Sequence, residues 1–253
     1  MLTQLEIMGR FMKTCFLILL FSIVVFILPS PVYSQGLTVV SRFVEGDIPL
    51  TVDLSIWQKV NPIVIPLSSQ IVAHPMASLL PAGKSLVREI TVRSINNGKV
   101  IAFLLEWEDA TDNSSPEGID TFRDAAALQF PVRTSARSED TPYFAMGEKG
   151  RMVNIWQWRS DARVRGTPPV EDLMAEGFGT LTYQTSQDVR GIGLWLEGRW
   201  EVVLLRMMRT LDENDVEFEN KGLFPIAFAV WNGANKERDG QKSISTWHSL
   251  RIE

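Results

Sequence analysis

Cysteine is nearly missing from this sequence. Of 253 residues only Cys15 carries a thiol, and it sits inside an apolar N-terminal stretch. Beyond residue 34 the chain has no disulfide, no thiolate nucleophile, no iron–sulfur ligand and no C-x-x-C-H attachment for a covalently bound haem. Histidine is almost as scarce, with His74 and His248 alone. There is no G-x-S-x-G elbow and no H-E-x-x-H pair, so hydrolytic chemistry is poorly supported. Positive charge is also short: 25 Lys and Arg stand against 30 Asp and Glu, a net charge of −5, with no basic stripe. That balance argues against a nucleic-acid binder. Extended helical periodicity, internal repeats and low-complexity tracts are absent too.

One long hydrophobic run is present, at the N-terminus. Residues 14–28 (TCFLILLFSIVVFIL) follow Lys13 and precede Pro29-Ser30-Pro31-Val32-Tyr33-Ser34. The run falls short of the about 20 residues that a membrane-spanning helix needs. It suits a signal-peptide h-region, with Val32-Tyr33-Ser34 as a small-x-small cleavage pattern, and an uncleaved anchor is the rival reading. The expectation is a signal peptide over 1–34, export to the periplasm or an equivalent compartment, and one domain over 35–253. Removing Arg10, Lys13 and Glu6 takes away a net +1 and leaves a charge of −6.

The rest of the chain is rich in strand-length runs. Residues 86–94 alternate, Asn97-Gly98 gives a hairpin turn, and 100–107 (VIAFLLEW) follows. Further strands are expected over 125–130, 152–158, 178–183, 192–196, 200–208, 226–231 and 243–252, with Glu197-Gly198-Arg199 as a tight turn. Short strands broken by Gly, Pro, Asn and Asp predict an all-β, antiparallel β-sandwich with long ligand-binding loops. The long loops are 108–120, 133–149 and 160–176, a length that is uncommon unless the loop binds something.

Few residues offer site chemistry. His248 shares a strand face with Ile244, Leu250 and Ile252 and reads as a core-edge histidine with a satisfied ring nitrogen; His74 reads as loop surface. Asp109, Asp112, Asp120 and Asp124 form an acidic loop cluster without EF-hand spacing, more in keeping with solvated charge than with Ca²⁺. Met146 closes a long loop before an aromatic strand, either as a core plug or as a soft axial ligand for iron. Trp156, Trp158, Trp231 and Trp247 can build a core, wall a flat cofactor or stack on a sugar. Lys242 stands where the polar loop 232–242 re-enters the sheet, so its amine can turn inward; a lysine in a polar loop is ordinarily solvated.

Several blocks together resemble a known family. Phe122-Arg123-Asp124-Ala125-Ala126-Ala127-Leu128-Gln129-Phe130-Pro131, Met146-Gly147, Val153-Asn154-Ile155-Trp156-Gln157-Trp158 and 226–243 occur in order. They are similar to the haem b-binding γ subunits of exported molybdenum enzymes: ethylbenzene dehydrogenase, dimethylsulfide dehydrogenase, selenate and chlorate reductases, and nitrite oxidoreductase relatives. The resemblance covers roughly residues 52–252. It implies a non-catalytic β-sandwich subunit that holds one non-covalent haem b between a methionine and a lysine. The methionine before glycine falls on Met146, and the lysine of the Gly-x-Lys-Ser turn falls on Lys242. Lys236, in the same loop, lies outside that pattern. The implied role is electron relay between an iron–sulfur subunit, itself served by a molybdopterin subunit, and a soluble c-type cytochrome or similar partner. Lysine binds iron only as the neutral amine, so its pKa must fall from the usual ~10.4. An exported carbohydrate-binding β-sandwich module is the alternative, and a hydrolase ranks last.

Overall fold

Two short turns set the first sheet. Asn97 Oδ1 accepts from the backbone N–H groups of Lys99 (3.1 Å) and Val100 (2.8 Å), and Gly98 takes φ +79°. This closes a hairpin between β4 (Glu89–Asn96) and β5 (Val100–Glu108). At Glu197 and Gly198 both φ values are positive, 49° and 85°, which lets β10 (Arg190–Leu196) turn back into β11 (Arg199–Met207) with the twist of the sheet. The structure is a computed structural model and describes residues 36–70, 87–118, 120–133 and 141–253. The predicted signal peptide, His74 and most of 133–140 lie outside the described residues. No helix among the described residues is long and apolar enough to cross a membrane.

The remaining strands are β1 (Thr38–Phe43), β2 (Ile63–Pro66), β3 (Ser68–Ser69), β6 (Ala125–Pro131), β7 (Val153–Arg159), β8 (Val170–Ala175), β9 (Thr182–Tyr183), β12 (Leu223–Trp231), β13 (Ser243–Ile244) and β14 (His248–Ile252). Their hydrogen-bonded order is β10-β11-β5-β4-β1-β14-β12-β6-β7-β8-β9. Strand β12 belongs to both sheets. Its residues 223–226 pair with β14 and its residues 227–231 pair with β6.

Aromatic rings fill the space between the two sheets. Phe103 of β5 meets Phe130 of β6 and Trp156 of β7, each at 5.9 Å between centroids. Trp158 lies 4.9 Å from Trp200 of β11. The buried guanidinium of Arg206 (β11) crosses this core to pair with Asp215 at 2.7 Å, and it stacks on Trp156 at 4.8 Å. On the outer face of β5 and β11, Ile48, Trp57 and Val60 cover Ala102, Leu104, Val203 and Leu205. Both strands are therefore buried on two faces, which is why they read as continuous apolar runs.

The predicted β-sandwich is observed, with four departures in detail. Strand β1 runs parallel to both β14 and β4, where the sequence led us to expect antiparallel pairing throughout. Residues 243–252 form two strands, because Ser245 bonds Phe228 through both backbone and hydroxyl and hands the chain from one sheet to the other. Residues 160–176, read as a loop, contain a one-turn helix (Ala162–Arg165) and β8. Of residues 178–183, only Thr182–Tyr183 is strand.

Candidate functional site: the Met146–Lys242 pocket

Period-two alternation decides which side chains face away from the sandwich core. On β6 these are Ala127 and Gln129, on β12 Ala227, Ala229 and Trp231, and on β13 Ile244. All of them line a single pocket, together with Gln70, Phe144, Ala145, Met146, Ile155 and Lys242. Ala127 and Ala229 are register partners, so bare Cβ groups make a flat floor with Trp231 beside it.

The loop 232–242 carries Lys242 into this pocket because its root is pinned. The N–H of Gly233 donates to Asp124 Oδ1 (2.8 Å), and that of Asn232 donates to Glu237 Oε2 (2.8 Å). A Cβ at Gly233 would meet the Phe122 carbonyl oxygen at 2.1 Å, so only glycine fits there. Trp231 Nε1 donates to the Asp239 carbonyl (3.1 Å), and Gln70 N donates to the Lys242 carbonyl (2.9 Å). Lys242 is thus 8% exposed, with Nζ 4.6 Å from the centre of the Trp231 ring. Among the described residues no carboxylate forms an ion pair with it. Burial pushes its amine down to about 8, against a smaller upward pull from Asp239.

Met146 reaches the pocket from the facing turn. It holds φ +72°, and Gly147 after it also has φ +72°. Gln129 clamps this turn from β6: its Nε2 donates to the Phe144 carbonyl (2.7 Å), and its Oε1 accepts from Met146 N (3.2 Å). Half-buried, Met146 packs against the cluster that includes Trp231 and Ile155.

The other sequence candidates are elsewhere. Lys236 is exposed, with Nζ 3.9 Å from Asp120 Oδ2. His248 is buried, its Nδ1 accepts from Leu37 N (3.0 Å), and burial lowers its pKa. The acidic quartet divides. Asp112 and Asp120 are exposed, as expected for solvated charge, but Asp109 and Asp124 are buried. The oxygens of Asp124 accept N–H groups from Gly233, Asn113 and Trp200, which is a setting of donors and not of cation ligands. Burial raises Asp124 and Glu237 each to about 7. Of the eight tryptophans six are buried, and Trp195 and Trp247 are half-buried. Gln70, Gln129 and the alanine floor escaped sequence reading; the small residues spaced by two in 125–129 and 227–231 were their one visible signal.

The donor set suits haem iron: one buried amine, one thioether, a flat apolar floor and an aromatic wall. Gln70, whose amide has no hydrogen-bond partner among the described residues, completes it. The height does not yet suit a macrocycle. The pocket encloses about 30 Å³, room for about one water, so a planar cofactor needs more space than the 143–147 turn now leaves. A roomier groove of about 360 Å³ lies by Lys99, Met207, Met208 and Arg209, but Lys99 there is exposed.

Several known proteins are similar to this chain in sequence. A haem subunit of a respiratory nitrate reductase, so named in Haloferax mediterranei, is 33% identical over 76% of this chain and 64% of its own length. The present chain therefore spans less than two thirds of that relative. The chlorate reductase subunit gamma of Ideonella dechloratans is 30% identical over 78% of this chain and 77% of its own. The dimethylsulfide dehydrogenase subunit gamma of Rhodovulum sulfidophilum is 30% identical over 78% and 73%. Among solved structures, a Bacteroides uniformis protein described as carbohydrate-binding superposes with a TM-score of 0.51 at 11% identity, covering 87% of this chain and all of that one. That likeness concerns the fold alone. The model of the ethylbenzene dehydrogenase family matches residues 54–171 and 170–243, and this chain belongs to that family.

Proposed function

We propose that this protein is the non-catalytic, electron-transfer subunit of an oxidoreductase complex and holds one non-covalent haem b with Met146 and Lys242 as axial ligands. The observation that carries the reading is one pocket lined by both a buried amine and a thioether, with no ion pair to the amine among the described residues. A lysine must be neutral to give its lone pair to iron, and burial favours the neutral form. Haem bound between two strong ligands supplies a one-electron carrier with no open position for oxygen or substrate. The relatives named as gamma or haem subunits support the same role. By that analogy the partners are an iron–sulfur subunit and a molybdopterin subunit on one side, and a soluble c-type cytochrome on the other. The run 14–28 supports export to the periplasm or an equivalent compartment; N-terminal sequencing of protein from its host is expected to begin near Gln35.

Reconstitution tests the reading. Protein lacking residues 1–34, mixed with haem b, is expected to give a six-coordinate, low-spin spectrum. Acidified organic solvent should strip all colour from the chain, because no thiol remains to hold it. Met146→Ala should keep the fold while turning the haem toward high spin and lowering its reduction potential, since thioether ligation favours the ferrous state. A chain that stays colourless defeats the proposal, and colour that survives denaturation defeats the b-type assignment. Met207→Ala, in the larger groove, should change nothing.

A further inference from the structure

Gln70 is 7% exposed, and among the described residues neither the oxygen nor the nitrogen of its carboxamide has a hydrogen-bond partner. A buried amide left in that condition is costly, and in native proteins it usually signals a missing partner. Its place in the ladder sets it beside Lys242. Strands β3 and β13 run antiparallel with Ser69 opposite Ser243 and Ser68 opposite Ile244. The next step of the register sets Gln70 opposite Lys242, and the Gln70 N–H donates to the Lys242 carbonyl at 2.9 Å. Directly opposed residues share a face, with Cβ atoms about 5 Å apart. Both side chains line the same pocket.

A neutral primary amine that gives its lone pair to a metal still carries two N–H bonds. In a buried site each needs an acceptor. The Trp231 ring face, 4.6 Å from Nζ, can serve one as a weak π acceptor. We infer that Gln70 is a positioning residue of this pocket, whose carboxamide oxygen takes the other N–H of Lys242 and so orients the nitrogen lone pair toward a bound metal. The inference rests on the haem reading above but concerns a residue that no ligand pattern in the sequence marked.

The test compares Gln70→Leu with wild type in two states. Without haem, the substitution replaces an unpartnered buried amide with an apolar side chain of similar size, so the melting temperature should rise or hold. With haem b at fixed pH, the ratio of low-spin to high-spin form should fall roughly tenfold, the scale of one lost buried hydrogen bond. The low-spin signal in electron paramagnetic resonance should broaden as the amine loses its fixed orientation. Gln70→Asn, which keeps a neutral acceptor oxygen, should retain more low-spin character than Gln70→Leu. A lower melting temperature for haem-free Gln70→Leu would mean that the amide has a purely structural partner, and would overturn the inference. A low-spin wild type whose spectrum Gln70→Leu leaves unchanged would overturn it alone, leaving the haem reading intact. A wild type that takes up no haem would overturn both.

Discussion

Lysine is a rare iron ligand because its amine is protonated at ordinary pH, so everything depends on where the side chain is held. Lys242 is buried beside an indole ring, and burial brings its amine down to about 8. Protons and iron compete for one lone pair. The low-spin form should therefore be complete at alkaline pH and fail as pH falls, a course that a spectral titration follows directly. Lys242→Ala should abolish low-spin character, and Lys242→Met should keep a six-coordinate haem with two sulfur ligands. Lys236→Ala, at an exposed position beside Asp120, should leave the spectrum unchanged; if instead it removed the low-spin form, the ligand would be Lys236. The family resemblance marked Lys242 through its Gly-x-Lys-Ser turn and Met146 through the glycine after it. It did not mark Gln70, because the β3–β13 pairing that places Gln70 beside Lys242 joins residues more than 170 positions apart.

Among the elements, the hairpins were legible and the hand-over points were not. Asn97-Gly98 and Glu197-Gly198 announce their turns through local backbone chemistry. The division of β12 between two sheets has no local signature, nor does the break at Ser245 that follows from it. Strand β8 was missed because its buried Asp172 interrupts the apolar alternation. That carboxyl accepts from Asn154 (2.7 Å) inside the Arg206 network, a partnership invisible in one dimension. The 143–147 turn depends on the same kind of distant contact. Gln129 gives this turn two side-chain bonds, one of them to Met146 itself, so Gln129→Leu should free Met146 while leaving β6 paired. We expect a cost of about 1–3 kcal/mol in stability, together with a mixture of high- and low-spin haem. Thermal unfolding and the visible spectrum measure the two effects separately. A fully low-spin Gln129→Leu protein would show that the turn needs no clamp.

At the scale of the whole molecule, the loop that carries Lys242 hangs from an acidic root. Asp109, Asp124 and Glu237 are buried together, and Asp124 and Glu237 are both raised to about 7, chiefly by burial and further by their neighbours' charge. The folded protein keeps these protons through a range where the unfolded chain has already released them. The stability they contribute is therefore full below the ordinary carboxylate range and is lost as pH rises toward 7. Each group adds at most about 1.4 kcal/mol per pH unit to that slope. Glu237→Gln imitates the protonated side chain: one oxygen still accepts from Asn232 N, and the new amide replaces Oε1, which has no partner among the described residues. Denaturant melts of the haem-free protein between pH 5 and 8 should show wild-type stability falling with pH and a flatter profile for Glu237→Gln. The two curves should converge in acid and separate toward neutrality, with the variant the more stable. Parallel curves would mean that Glu237 does not titrate in this range, and that the loop beneath Lys242 is held without a proton at its root.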